Sequence, residues 1–376
     1  MPRSVKPSFD KKTTFLVSHD GIATAKPNPT LMEEIDGDAE TGSGPALLRI
    51  ARRLAADAVG HQIHRRKSRR LPAARIPAKL AAVDGFSRVA LDCLAQIAAS
   101  AERVRQGSDK GGDRDALHEM RIALRRLRAA FAAFKHILLA ENLETWRKET
   151  KWLAGELDRA RDLDVFIAHL AQLKSKKTRD DPAWATFGSR LLLMRAAAYE
   201  QALAAIESKR FAALIRDCAD WAGATQEEPA AGPEATGLRD GNASTLARQT
   251  LSRLHRRLRK AGHHLKKLDP TERHAARIGV KKLRYAAEFF GGTFGRGRGK
   301  PRSRYVASLM ALQDALGDLN DLAMIQQCAC AVAGGSTELA FHAGEVIGDR
   351  RATQTRLLAK AARAYGHWRE TKPFWH

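Results

Sequence analysis

The sequence predicts an all-α fold, built from two pseudo-symmetric copies of a helical bundle. The composition and an internal repeat support this prediction. Ala, Leu and Arg dominate the chain of 376 residues, and aromatic residues make up only 6% of it. Such a mixture favours helix over strand. Hydrophobic residues account for 44% of the sequence, which is typical of a chain with a packed core.

The internal repeat relates positions that lie 156 residues apart. Its clearest part is a pair of basic segments, HEMRIALRRLR at 118–128 and HAARIGVKKLR at 274–284. The same offset matches four further positions downstream: Phe134 with Phe290, Leu153 with Leu309, Asp158 with Asp314 and Asp162 with Asp318. A register kept over this distance predicts a duplicated unit of about four helices per copy.

The chain divides into a tail, an arm and a long helical region. Residues 1–45 contain Pro, Gly and Thr without periodicity, which predicts a disordered tail. Residues 46–78 join one amphipathic segment to a basic tract, so we expect a basic helical arm, either simply solvated or an auxiliary anion-binding element. The helical region, 79–371, divides into a first repeat at 79–224, a Pro- and Gly-containing linker at 225–241 and a second repeat at 242–371.

The net charge indicates a polyanionic partner. The chain carries 65 Lys and Arg residues against 42 Asp and Glu residues, a formal net charge of +23. So large an excess opposes compaction unless anions lie nearby. Nucleic acid, an acidic membrane surface and polyphosphate all fit, and the charge alone does not choose among them.

Cysteine usage and hydropathy predict a soluble, cytoplasmic protein without membrane insertion. The four cysteines, at positions 93, 218, 328 and 330, form no Cys-x-x-Cys pair, which favours buried, reduced thiols. The first residues lack the apolar core of a signal peptide, and the longest apolar run is too short to span a bilayer.

The first basic segment predicts a helix with a cationic stripe. His118, Arg121, Arg125 and Arg128 follow one another at i, i+3, i+7 and i+10, which places them on one face. Arg126 lies on the flank of this stripe. Like charges repel at these spacings, and a solvated face normally mixes signs. The unmixed row therefore favours a binding surface over a solvated helix face.

The second basic segment repeats this plan. Its equivalent positions carry the same types of side chain: His274, Arg277, Lys281 and Arg284 on the stripe and Lys282 on the flank, followed by Tyr285. Guanidinium groups match phosphate oxygens bidentately, and rows at helical pitch suit a linear anion. We expect the stripe cations to supply most contacts, the two histidines to assist, and Arg126, Lys282 and Tyr285 to contribute less.

With these segments, the sequence resembles the CHAD family, the conserved histidine α-helical domain. The matching motifs are H-x-x-R-x-x-x-R-R-x-R at 118–128 and H-x-x-R-x-x-x-K-K-x-R-Y-x-x-E at 274–288. RARDLD at 159–164 and LGDLND at 316–321 also match. The resemblance implies two helical bundles around a basic groove, binding of inorganic polyphosphate, association with polyphosphate granules, no cofactor and no catalytic activity.

The sequence leaves two other functions open. Asp162, Asp164, Asp318 and Asp321 are conceivable ligands of a Mg²⁺-dependent polyphosphate or triphosphate hydrolase, although carboxylates beside arginines more often orient them. Some CHAD relatives carry a triphosphatase domain with an E-x-E-x-K segment, which the N-terminal residues lack. The histidines and cysteines form no zinc pattern, so no metal site is expected. The other alternative is a general nucleic-acid-binding protein. Weak, nonspecific nucleic-acid binding is also expected beside polyphosphate binding, because the chain is so basic.

Overall fold

The chain is described by a computed structural model. It covers residues 75–77, 79–107, 113–173, 182–225, 233–348 and 350–376. The tail predicted at 1–45 and nearly all of the arm predicted at 46–78 lie outside the described residues. Within them, the structure is almost entirely helical, and its one β-type pairing is an isolated bridge between Ala81 and Asn242. The predicted all-α class is confirmed.

The helix bounds follow the offset of 156 residues over three consecutive helices of each half. The first half contains α1 (Ala82–Gln106), α2 (Arg114–Phe134), α3 (Ala140–Leu173), α4 (Pro182–Glu207) and α5 (Lys209–Ala224). The second half contains α6 (Pro233–Asp240), α7 (Ala243–Ala261), α8 (Pro270–Phe289), α9 (Gly299–Ala333), α10 (Thr337–Ile347) and α11 (Arg350–Glu370). Helices α1 to α3 correspond to α7 to α9. Helix α6 lies inside the range 225–241, where composition predicts a linker.

Side-chain caps fix the starts of both basic helices. The carboxylate of Asp113 accepts hydrogen bonds from the backbone N–H groups of Asp115 and Ala116, each at 2.9 Å. Asp269 and Glu272 form a reciprocal capping box at the start of α8, with Pro270 in its first turn. Such caps satisfy backbone donors that the helix leaves unpaired. The register of the cationic stripes is therefore set from the first turn of each helix.

The two basic helices pack directly against each other at the centre of the core. Helix α2 also contacts α1 and α3, and α8 also contacts α7 and α9. The rings of Phe134 and Phe290, which the repeat makes equivalent, lie 5.1 Å apart. Leu124 of α2 and Leu283 of α8 are fully buried. Because the apolar stripes are used in this packing, the cationic stripes flank the contact between the helices.

Three of the four cysteines are buried, as the sequence predicts, but Cys330 is exposed. The prediction is wrong for Cys330 because two positions correspond to about 200° around a helix. Cys328 thus faces the core while Cys330 faces solvent. No helix in the described part of the chain is both long and apolar enough to cross a membrane.

Candidate functional site

Cations from both basic helices meet where α2 packs against α8. Their mutual influence on ionisation shows how close they lie, since Arg277, Arg125 and Arg121 all lower the pKa of Lys281. Arg161 of α3 belongs to the same group, because Arg121 and Arg125 lower its pKa. We call these five residues the inner cluster. Four of them are stripe positions predicted from the sequence, two from each repeat.

Burial makes the inner cluster electrostatically costly. The pKa of Lys281 falls to about 7, chiefly because burial removes water from the ammonium group and secondarily because of the neighbouring arginines. Burial likewise lowers the pKa of Arg125 and Arg277. Cations held together out of water destabilise a fold unless a negative partner compensates them.

Aspartates supply part of that compensation. Arg121 forms an ion pair with Asp158 and donates to the carbonyl oxygen of Ala154 at 3.3 Å. Burial raises the pKa of Asp162 and Asp321, while Arg121 opposes the rise at Asp162 and Arg277 opposes it at Asp321. These carboxylates hold the arginines in place and reduce the net charge of the cluster.

Three arginines of the inner cluster have buried hydrogen-bond donors that no described residue satisfies. The Nε atoms of Arg121, Arg125 and Arg277 have no acceptor within the described part of the chain. An unpaired buried donor costs about 1–3 kcal/mol. An anion with several oxygen acceptors would pair with these donors and with the adjacent charges at the same time.

Tyr285 and Arg284 support the cluster from α8. Tyr285 is buried and lies beside the Arg125 side chain, whose pKa it raises against the lowering effect of burial. The guanidinium carbon of Arg284 lies 4.2 Å from the centre of the Tyr285 ring, and its Nε donates to the side-chain oxygen of Gln313 at 2.9 Å. Arg284 also forms an ion pair with Glu288. Tyr285 is thus placed to position Arg125.

The two flank positions of the repeat have different environments. Arg126 is buried, donates to the Gln96 side-chain oxygen at 3.0 Å and pairs with Asp92 at 3.4 Å. Its counterpart Lys282 is exposed, with Arg128 beside it. The structure therefore holds Arg126 inside the fold, and we leave it out of the candidate site.

The equivalent histidines also differ in exposure. His118 is half-buried and His274 is exposed, each one turn before the first arginine of its stripe. A direct ligand contact by either histidine stays a prediction.

Several cations near the site were not assigned from the sequence. Arg161 lies in the segment 159–164, whose match to the family could have indicated it. Lys135, Arg147, Arg253 and Arg257 gather around Lys282 and Arg128. The basic run at 253–260 could have indicated Arg253 and Arg257.

Asp164 has a structural environment. Its side chain is buried and accepts hydrogen bonds from Arg195 Nε at 2.8 Å and from the Tyr199 hydroxyl at 2.7 Å. These bonds join α3 to α4 close to Arg161. Asp164 raises the pKa of Arg161 and so favours its charged form. Among the described residues, no group of three or more His, Cys, Asp or Glu side chains is arranged to hold a metal ion.

Comparisons with known proteins agree with this arrangement of helices. The CHAD domain family matches residues 88–330. The crystal structure of the CHAD domain from the plant Ricinus communis superposes with a TM-score of 0.64 at 26% sequence identity, covering 83% of this chain and 98% of that one.

A second solved structure, PptA from Streptomyces chartreusis, superposes with a TM-score of 0.55 at 20% identity. It covers 76% of this chain and 100% of its own, and at this identity it supports the fold alone. No curated protein matches the sequence. The family match extends over well more than half of the chain and includes both basic helices, so the chain belongs to the CHAD domain family.

Proposed function

We propose that this protein is a non-catalytic receptor for inorganic polyphosphate and that the inner cluster is its binding site. The observation that carries the proposal is the convergence of Arg121, Arg125, Arg277 and Lys281 from two repeated helices. Half-buried cations with unpaired donors favour a ligand rich in oxygen acceptors. The family resemblance also leads us to propose that the protein associates with polyphosphate granules.

A thin, linear polyanion fits the inner cluster better than nucleic acid does. Single-stranded nucleic acids are usually held by exposed aromatic platforms on which the bases stack. The aromatic side chain beside Arg125 is Tyr285, which is buried and has Arg284 stacked on its ring. Tyr285 therefore serves the protein's own packing, and the cations of the inner cluster are the groups available to an anion.

A competition titration tests the proposal directly. Labelled long-chain polyphosphate is titrated into the full chain, with duplex DNA, RNA and orthophosphate as competitors. We expect polyphosphate to be preferred, and its affinity to fall with salt at a logarithmic slope of about −3, by extrapolation from single-stranded nucleic acids. Equal displacement by DNA, or an affinity independent of salt, would contradict it. Mg²⁺-dependent phosphate release that is lost in Asp162→Asn would indicate a hydrolase.

Proton uptake should accompany binding, because Lys281 is largely neutral in the unliganded protein above pH 7. Its pKa of about 7 is set by burial and by Arg277, Arg125 and Arg121, with Asp321 opposing them. A bound polyanion favours the charged form and raises this pKa. The contribution of Lys281 to affinity is therefore complete below pH 7 and is lost as pH rises, by up to about tenfold per pH unit.

Calorimetry at pH 8 in buffers of different ionisation enthalpy measures this uptake. The Lys281→Arg variant keeps its charge at that pH, so it should bind well without the proton uptake of the natural protein. Equal uptake in both proteins would assign the protons to another group.

A further inference from the structure

A second group of cations lies further along α2, towards its C-terminal end. It consists of side chains from α2, α3, α7, α8 and the residue that follows α2: Arg128, Arg147, Arg253, Arg257, Lys282 and Lys135. We call this group the outer face. Its members come from both halves of the chain.

The ionisation of two lysines shows that the outer face is a contiguous cluster. Desolvation lowers the pKa of Lys282, and Arg128, Arg147 and Arg257 lower it further. Desolvation likewise lowers the pKa of Lys135, with Arg253, Arg257 and Arg147 as additional causes. The same arginines thus act on lysines from different helices.

Far fewer carboxylates lie beside the cations of the outer face than beside those of the inner cluster. Among the described residues, its ion pairing is a single contact between Arg147 and Glu144 at 3.9 Å. The inner cluster, by contrast, is surrounded by Asp158, Asp162 and Asp321. A cationic surface without carboxylates is repulsive on its own and favours an external anion.

A cavity of about 440 Å³ opens beside the outer face along α7. Its lining includes His136, Arg248, Gln249, Arg253 and Arg256. The buried Nε atom of Arg253 has no acceptor within the described part of the chain. The site thus offers a concave, basic surface with an unpaired donor.

The duplicated fold does not require this basic surface. The positions of α1 that correspond to Arg253, Arg256 and Arg257 are occupied by Ile97, Ser100 and Ala101, which are buried. The three arginines of α7 are instead half-buried or exposed. If the fold needed arginines at these positions, both copies would be expected to have them. Only the second copy does.

One stripe of α2 connects the two groups of cations. Arg121 and Arg125 belong to the inner cluster, and Arg128 and Lys135 continue the stripe to the outer face at i+7 and i+14. At 1.5 Å per residue, the stripe is about 21 Å long. A single extended anion can follow it from one group to the other.

We propose that the outer face is a second phosphate-binding subsite, which long polyphosphate chains reach from the inner cluster and short ones do not. This inference rests on the proposed function, and it makes the protein selective for chain length. The preference for long chains arises because a long chain contacts both groups of cations, whereas a short chain contacts only the inner cluster.

The test compares long-chain polyphosphate with tripolyphosphate in the Arg253→Gln/Arg257→Gln variant of the full chain. We expect the affinity for the long chain to fall roughly tenfold and its logarithmic salt slope to become shallower by about 1.4. The affinity for tripolyphosphate should stay unchanged. The Arg253→Lys/Arg257→Lys variant should keep most of the affinity for the long chain.

A matched control removes two arginines elsewhere. Arg210 and Arg216 of α5 are exposed and pair with Glu149 and Asp217, so Arg210→Gln/Arg216→Gln should bind both anions normally. Unchanged long-chain binding in the Arg253→Gln/Arg257→Gln variant, or equal losses for both anions, would overturn the subsite and leave the proposed function intact. Failure of the natural protein to bind either anion would instead reject the proposed function.

Discussion

Replacing Arg125 and Arg277 with glutamine is expected to weaken the binding of long-chain polyphosphate by about 100-fold or more. Each arginine comes from one copy of the basic helix, and both lie in the inner cluster. A hydrogen bond to a charged group contributes about 1.5–3 kcal/mol, so losing two of them corresponds to at least about two orders of magnitude. Fluorescence anisotropy with labelled polyphosphate gives the affinity of each variant.

The same double variant should not lose thermal stability. Burial lowers the pKa of both arginines, and Arg121 lowers both pKa values further, which means that their charges oppose folding. Removing the charges while keeping a polar side chain should leave the melting temperature unchanged or raise it. Binding retained within about threefold would show that the inner cluster is not the site. Loss of folding would show that its arginines are structural.

The affinity and stability measurements together distinguish a binding site from a solvated basic surface. Functional sites often carry groups that oppose folding because the ligand needs them. In the inner cluster, buried like charges lie beside donors for which the described residues supply no acceptor. An exposed, solvated cation such as Arg216 lacks both features, because Asp217 neutralises it. Its removal should change neither affinity nor stability.

The helical period of the sequence was sufficient to predict four of the five residues of the inner cluster. Arg121 and Arg125 share one face of α2, and the repeat places Arg277 and Lys281 on the equivalent face of α8. Helical spacing is a local property, so it can be read directly from the positions of the residues in the sequence. The caps at Asp113 and Asp269 then fix the start of each helix and so preserve that spacing in the fold.

The different environments of Arg126 and Lys282 could not be predicted in this way. Arg126 is held inside by Asp92 and Gln96 of α1. The repeat replaces these partners with Arg248 and Ser252 in α7. The lysine of the second copy therefore has no carboxylate at the equivalent place, and it is exposed. The repeat alone predicts the same environment for both positions. Only the packing of α1 and α7 against the basic helices distinguishes them.

Four of the six residues of the outer face could not be predicted from the sequence, for the same reason. Arg253 and Arg257 lie on α7, more than a hundred residues from Lys135 and Arg128, and no periodicity relates them. Their proximity is set by how α7 packs against α8 and by the position of the end of α2. The basic run of α7 indicated charge. It did not indicate which other cations would surround it.

Replacing Asp164 with alanine is expected to destabilise the fold by about 3–5 kcal/mol, the usual effect of removing one partner from a buried ion pair. The Asp164 carboxylate accepts hydrogen bonds from Arg195 and Tyr199, and the Arg195 guanidinium stacks on the Tyr199 ring at 4.2 Å. The alanine variant removes the acceptor of both hydrogen bonds between α3 and α4. Chemical denaturation monitored by circular dichroism measures the loss.

Asp162→Ala provides the control for this prediction, because Asp162 lies two positions earlier on α3 and is half-buried among cations. Its removal should leave the free energy of unfolding nearly unchanged and should strengthen the binding of polyphosphate, since a carboxylate that competes with the anion for Arg121 is gone. A Mg²⁺-dependent hydrolase would behave in the opposite way. Both aspartates would then be needed for phosphate release, and Asp164→Ala would abolish it at unchanged stability. The two variants therefore separate a carboxylate that holds the fold from one that tunes the binding site.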